Sequence, residues 1–185
     1  ASVPLRVAHL SRPLLGDEAI SFSNMVLGRS FTGILFGPFD SNNHVLNSVI
    51  MKLVHLGFGE NPALMRLPNL LMVLAAAVVL YLFGSRVLGR AAGFAAALLF
   101  ALHPAVVLFS VSCRGYAGMV LFTMLSSVLL LRLVHRFSWP LWIGCATTGA
   151  VAAGFHLFAV NVLVAQILTA LLAIVRPPND GRAAA

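Results

Sequence analysis

Four long stretches without Asp, Glu, Lys or Arg dominate the later two-thirds of the chain. They cover residues 67–85, 91–113, 115–131 and 137–175. A membrane-spanning helix needs about 20 mostly apolar residues, with a usual range of about 17 to 25. The first three stretches each fit one span, and the fourth is long enough for two spans joined by a turn. The predicted spans lie at about 64–85, 91–112, 115–133, 138–154 and 157–175.

These spans should be helical, because lipid offers the backbone no hydrogen-bond partners and a helix satisfies its own polar groups. The strands of an outer-membrane barrel would alternate polar and apolar residues, and these stretches do not. The predicted fold is therefore all-α. It is a polytopic integral membrane helical bundle with about five transmembrane helices and an extracytoplasmic amino-terminal segment that carries interfacial helices.

The pattern of residues changes near position 62. Residues 1–61 hold four of the five acidic residues, with Gly, Pro, Ser and Asn among hydrophobic side chains. Two stretches there have helical spacing of apolar positions, 18–31 and 43–58, as expected of helices lying in the headgroup region. We therefore divide the chain into three parts. They are an extracytoplasmic loop with juxtamembrane amphipathic helices (1–61), a transmembrane helix bundle (62–176) and a cytoplasmic tail (177–185).

Orientation follows from the short connections between the spans. Arginines are concentrated in 84–90, 132–139 and 176–182, which fall on one side of a five-span bundle. The positive-inside rule places that side in the cytoplasm. We expect an integral protein of the bacterial inner (cytoplasmic) membrane with its amino-terminal segment outside. An external amino terminus without a targeting signal also leads us to expect a piece of a longer polypeptide.

Composition excludes several classes of protein. Hydrophobic residues make up 60% of the chain and charged residues 9%, and mean hydropathy is +0.97. Soluble chains have about 25% charged residues. The net charge of +7 does not predict a nucleic-acid partner, because the cations flank the spans instead of forming one patch. Cys113 and Cys145 lack the spacing of a disulfide or metal framework.

Four segments, in this order, carry a resemblance to a known family. They are GDEAIS at 16–21, NNHVLNSVIMKLVHLGFGENPALMRLPNLL at 42–71, ALHPAVVLFSVSCRGYAGMVLF at 101–122 and GFHLFAVNVLVAQIL at 154–168. Together they resemble the amino-terminal half of GT-C fold glycosyltransferases of the protein mannosyltransferase and aminoarabinose transferase type. Val45 stands where that family usually has proline.

The resemblance implies a membrane enzyme that moves a sugar from a polyprenyl-phosphate donor to an acceptor at the extracytoplasmic face. Such a transfer needs a base for the acceptor's proton and positive charge for the leaving phosphate. The resemblance assigns the base to Asp17 and makes Glu18 its catalytic neighbour. Adjacent helical residues point about 100° apart, so Glu18 should hold the acceptor or the surroundings of Asp17. The alternative is that both acids only complement a helix dipole.

Six residues are candidates for binding the substrate and its phosphate. They are His44, Lys52, Arg66, Arg114, Tyr116 and His156. Arginine offers phosphate a planar donor fork, although Arg66 at the start of a span is slightly better explained by snorkelling to the interface. No sequence motif for a metal is present. A divalent metal stays open as a cofactor, with a packing role favoured for His44 and His156.

A second hypothesis belongs to another class of protein. The chain would be a non-catalytic membrane subunit of glycosyltransferase-like fold that packs within a larger membrane complex. Convergence of Asp17, Glu18 and Arg114 on one cavity at the outer surface would favour the enzyme. In the subunit the same residues would face lipid, a partner or each other, with no open cavity. A transporter or channel is weaker, because the spans lack a polar stripe. The expected partners are a polyprenyl-phosphate-linked sugar and the lipid bilayer, other membrane subunits remain open, and no nucleic acid is expected.

Overall fold

A computed structural model describes residues 6, 8–38, 40 and 43–175, and this part of the chain contains helices and no strand. In chain order the helices are α1 (Asp17–Ser21), a π-helical segment (Phe22–Leu27), α2 (Phe31–Phe36), α3 (Val45–Phe58), α4 (Pro62–Leu88), α5 (Arg90–Leu102), α6 (Pro104–Ser110), α7 (Tyr116–His135), α8 (Trp139–Phe155) and α9 (Ala159–Val175). The all-α class is confirmed. The predicted cytoplasmic tail, 177–185, lies outside the described residues.

Two of these helices, α4 and α7, are long and apolar enough to cross a membrane. The pair α5 and α6 would make a third span, bent by 66° between its halves, and α9 is a shorter apolar helix. The structure is thus that of a polytopic helical membrane protein. The count of five spans stays a prediction.

The predicted span at 91–112 is not one straight helix, because it breaks at His103 and Pro104. Proline has no N–H to continue the helix, and the residue before it is driven out of the helical region. His103 accordingly adopts φ −61° and ψ 130°. Its Nδ1 then accepts the N–H of Ala105 at 3.3 Å, which caps α6.

The amino-terminal helices match the predicted amphipathic stretches only in part. The second stretch forms α3, which ends before Gly59 at φ 69°. The first stretch is divided between α1 and the π-helical segment, and α2 begins only at its last residue, Phe31. Ser30 explains the restart, because its Oγ accepts the N–H of Gly33 at 3.1 Å and caps α2. The π-helical segment is anchored by buried Met25 and Val26.

Two buried apolar clusters hold the bundle together. One consists of Val73, Val106 and Ala117, from α4, α6 and α7. The other consists of Val26, Met51, Met65 and Cys113. It packs the amino-terminal helices against the start of α4 and the turn that precedes α7. This second cluster therefore fixes the amino-terminal segment to one end of the bundle.

Glycines let α4 and α5 approach closely, as small residues do between membrane helices. A Cβ built on Gly93 would lie 2.5 Å from the backbone nitrogen of Ser85, and one on Gly84 would lie 3.1 Å from Cα of Gly93. The two helices could not cross at this distance with larger residues there.

We expect Gly93→Ala to lower the melting temperature of the detergent-solubilised protein, since the added methyl must push α4 and α5 apart. Overpacking of this kind costs about 1–3 kcal/mol. Gly57→Ala is the matched control, because a Cβ at Gly57 meets nothing within 4 Å. Its melting temperature should stay equal or rise, given the better helix propensity of alanine. Equal melting temperatures for the two variants would contradict the close crossing.

Candidate active site

Asp17 and Arg114 form an ion pair at the end of the bundle where α7 begins. Asp17 is the first residue of α1, directly after Gly16 at φ 55°. Arg114 lies in the turn between α6 and α7. The side chain of Asp17 is 63% exposed, and that of Arg114 is 13% exposed. An accessible carboxylate thus lies against a mostly buried guanidinium.

Arg114 has a second partner in His44, which directly precedes α3. The Nε–H of Arg114 donates to His44 Nε2 at 3.1 Å. Accepting this bond requires a neutral imidazole whose Nε2 carries no proton. Burial, together with the charges of His156 and Arg114, lowers the pKa of His44 to about 4 and outweighs the opposing effect of Asp17. His44 is therefore a neutral acceptor that orients Arg114.

Aromatic and imidazole rings stack around His44 and Arg114. His44 stacks on His156 with centroids 4.5 Å apart, Tyr116 lies 4.5 Å from His156, and Phe109 stacks on Tyr116 at 4.8 Å. The Arg114 guanidinium lies 5.6 Å from the Tyr116 ring centroid, within cation–π range. Burial, followed by the charge of Arg114, lowers the pKa of His156. The structure thus brings four of the six predicted binding residues together.

Glu18 faces other partners than Asp17, as the helical geometry predicts. Its Oε2 accepts from Arg66 Nη2 at 2.6 Å, and its Oε1 accepts the backbone N–H of Cys113 at 2.6 Å. The side chains of Glu18 and Arg66 are 14% and 4% exposed. Both carboxylate oxygens are occupied by the protein itself, which leaves Asp17 as the accessible acid of the pair.

Every N–H of Arg66 has an acceptor inside the protein. Beyond Glu18, its donors reach the carbonyl oxygens of His9, Leu10, Arg12 and Pro13. Guanidinium has five N–H groups, so none remains for a phosphate. The snorkelling interpretation does not describe this residue either, because its head group is buried. Arg66 instead gathers the residues before α1 around the start of α4.

Lys52 is likewise held by the backbone. Its Nζ donates to the carbonyl oxygens of Val26 at 2.6 Å and Arg29 at 2.7 Å, and it lies 5.8 Å from the Phe31 ring centroid. These contacts fix the connection between the π-helical segment and α2. The structure therefore places the Lys52 ammonium in that connection instead of in the group around Arg114.

Two asparagines that the sequence did not single out also contact the turn before α7. Asn47 Nδ2 donates to the carbonyl oxygen of Cys113 at 2.7 Å. Asn69 Nδ2 donates to the carbonyl oxygen of Ser112 at 2.5 Å and to Asn47 Oδ1 at 3.2 Å. Both are buried amides on apolar helices. Polar side chains in such surroundings are often functional, and this signal could have identified them.

The residue after Arg114 must be glycine. A Cβ on Gly115 would overlap the carbonyl oxygen of Phe155 and would lie 3.1 Å from Cβ of His44. A Cβ on Gly118, one turn later, would overlap the Phe155 ring. These contacts bring the end of α8, and with it His156, against the start of α7.

A cavity of about 660 Å³ lies elsewhere in the bundle, between α7, α8 and α9. It is lined mainly by apolar side chains, such as Leu130, Leu163 and Ile167, and none of the candidate site residues lines it. Within the described residues, no group of three or more His, Cys, Asp or Glu side chains could hold a metal ion.

Residues 45–179 match the family model described as dolichyl-phosphate-mannose-protein mannosyltransferase. Neither the search of curated proteins nor the search of solved structures found a match. The match confirms the resemblance that the sequence motifs carry. Asp17, Glu18 and His44 precede the matched range, so the case for these three rests on the geometry of the site.

The lowered pKa of His44 predicts how stability depends on pH. The folded protein keeps His44 neutral down to about pH 4, whereas an unperturbed histidine binds its proton near 6.5. The unfolded state therefore holds more protons in this interval, and stability is lost as pH falls from 6.5 to 4. We expect the melting temperature to drop by several degrees over that range, as measured in detergent.

His44→Gln removes this titration and keeps an acceptor for Arg114, so the drop in melting temperature should become shallower. The matched control is His135→Gln, because His135 is exposed at the end of α7. It should keep the wild-type slope. A wild-type slope in His44→Gln would show that His44 is not held neutral by folding.

Proposed function

The chain belongs to the dolichyl-phosphate-mannose-protein mannosyltransferase family, and we propose that it transfers a sugar from a polyprenyl-phosphate donor to an acceptor at the extracytoplasmic membrane face. Membership establishes a membrane glycosyltransferase in general terms, and the apolar helices establish an integral membrane protein. The donor, the acceptor and the face are the proposal. One observation carries it, which is the pairing of an accessible Asp17 with a mostly buried Arg114.

The proposed transfer uses Asp17 as the general base. An acceptor hydroxyl oxygen attacks the anomeric carbon of the sugar, and its proton passes to the Asp17 carboxylate. The bond between the anomeric carbon and the phosphate oxygen breaks, and its electrons leave with the polyprenyl phosphate. The high exposure of Asp17 supports this role, since a base must reach the proton that it removes.

Arg114 stabilises the negative charge that develops on the leaving phosphate. Its guanidinium is held by His44 and by the ion pair with Asp17 before any substrate arrives. Donors that are already in place stabilise a developing charge without reorganisation. Arg114 is better suited to this role than Arg66, whose donors are all satisfied by the protein.

The position of the site in the bundle supports the extracytoplasmic face. The site lies where α6 joins α7 and where α8 joins α9. The helices α4 and α7 both begin at this end, and the connections that follow them carry Arg86, Arg90, Arg132 and Arg136. Arginines of short connections favour the cytoplasmic side, so the Asp17 end should face outward.

Asp17→Asn and Glu18→Gln should have different effects, because only Asp17 is free to act as a base. We expect Asp17→Asn to lower kcat for sugar transfer by about 10²–10⁴. Its melting temperature should fall less than that of Glu18→Gln, because Asp17 is the exposed member of its ion pair. Glu18→Gln should lower the melting temperature, because it leaves the buried Arg66 charge without its partner, a change that costs up to about 3–5 kcal/mol. Sugar transfer by both variants is measured with a labelled polyprenyl-phosphate sugar in proteoliposomes, and their melting temperatures are measured in detergent.

Glu60→Gln is the control for these variants, since Glu60 is an exposed acid of the same segment. It should leave both the rate and the melting temperature unchanged. Full transfer by Asp17→Asn would remove Asp17 from the mechanism. Absence of transfer in the wild-type protein would favour the non-catalytic subunit.

A further inference from the structure

We propose that Asn47 and Asn69 are positioning residues that fix the backbone leading into Arg114 and thereby aim its guanidinium at the donor phosphate. This inference rests on the proposed function, because the phosphate contact of Arg114 is part of that function. Neither asparagine touches the reacting atoms, so both would act through the turn at 112–115, which joins α6 to α7.

Two consecutive peptide groups before Arg114 are held by side chains from three different helices. The group between Ser112 and Cys113 is bound at both ends, since Asn69 donates to its carbonyl oxygen at 2.5 Å and Glu18 accepts its N–H at 2.6 Å. The next group, between Cys113 and Arg114, has its carbonyl oxygen bound by Asn47 at 2.7 Å. The Cα of Arg114 is therefore fixed relative to α1, α3 and α4.

The hydrogen bonds determine how both amides are oriented. Asn47 must turn its NH₂ toward the Cys113 carbonyl, so its Oδ1 is left to accept from Asn69 at 3.2 Å. Asn69 then uses one N–H for Asn47 and the other for Ser112. Turning the Asn69 amide over would place its oxygen against two acceptors, which is unfavourable.

The buried amide of Asn69 has a free-energy cost that an apolar side chain of the same size would not have. Asn69 is 1% exposed, and its Oδ1 has no hydrogen-bond partner among the described residues. An unpaired buried acceptor costs about 1–3 kcal/mol. A leucine would fill a similar volume without that cost, so what the amide specifically contributes is the pair of bonds that it donates.

The other side of Arg114 is fixed as well. Gly115 packs against the Phe155 carbonyl, and His44 Nε2 accepts from Arg114 Nε. In the described part of the protein, the contacts of Arg114 take its Nε proton and one at Nη1. Guanidinium has five N–H groups. The remaining N–H groups of Arg114 are therefore presented in one fixed direction, as a bidentate phosphate contact needs.

A double-mutant cycle tests this role directly. We expect Asn69→Leu to lower kcat/KM for the polyprenyl-phosphate donor about tenfold or more when Arg114 is present. In the Arg114→Lys background the same substitution should change kcat/KM less than about twofold, because the fork that Asn69 aims is already gone. Non-additivity of this kind identifies residues that act through one another. Asn47→Leu should behave in the same way.

Asn61→Ala is the control for a purely structural effect. Asn61 is the exposed N-cap of α4, so its loss should lower the melting temperature and have the same small effect on kcat/KM in both backgrounds. Should Asn69→Leu fail to fold, Asn69→Ser enters the same cycle with a shortened donor. Equal losses in the wild-type and Arg114→Lys backgrounds would overturn the positioning role.

The cycle separates this inference from the proposed function. If the wild-type protein transfers no sugar, the proposed function fails, and the same four proteins are compared by their dissociation constants for polyprenyl phosphate. A loss of affinity on Asn69→Leu that disappears with Arg114→Lys would still support the positioning role. Equal losses, or no binding by the wild-type protein, would overturn it.

Discussion

The buried pairing of Arg66 with Glu18 is the interaction on which the geometry of the site depends. A guanidinium that is 4% exposed is tolerated only when its donors are satisfied and its charge is paired. Arg66 meets both conditions by collecting the carbonyl oxygens before α1 and the carboxylate of Glu18. Glu18 in turn binds the Cys113 N–H. These contacts place Asp17, one residue earlier, next to Arg114.

The charged residues therefore differ in their surroundings. Asp17 and Glu18 are adjacent in sequence, yet the helix places Glu18 inside the protein and leaves Asp17 accessible. The two arginines divide in the same way, with Arg66 saturated by the backbone and Arg114 retaining free donors. In the proposed mechanism, stability and chemistry rest on separate acid–arginine pairs, and both pairs meet at one turn.

The sequence predicted the apolar helices and the family, because these depend on local composition and on motifs in a fixed order. It named His44, Tyr116 and His156 as candidate binding residues, but it predicted neither their stacking nor the contribution of Phe109. It predicted the different directions of Asp17 and Glu18 from helical geometry alone. It did not predict that Arg66 and Lys52 bind backbone carbonyls, because these contacts join segments distant in sequence. The roles of Asn47 and Asn69 were missed for the same reason. Pro104 indicates a break after His103, but the length of the apolar stretch favoured one continuous span at 91–112.

The most direct test of the proposed mechanism is whether Arg114, and not Arg66, contacts the donor phosphate. Solid-state NMR can measure dipolar dephasing between the ³¹P of bound polyprenyl phosphate and ¹⁵N-labelled arginine side chains in membranes. We predict dephasing in the wild-type protein and in Arg29→Lys, and its loss in Arg114→Lys. Dephasing that persists in Arg114→Lys would contradict the phosphate contact of Arg114, because another arginine would then hold the phosphate.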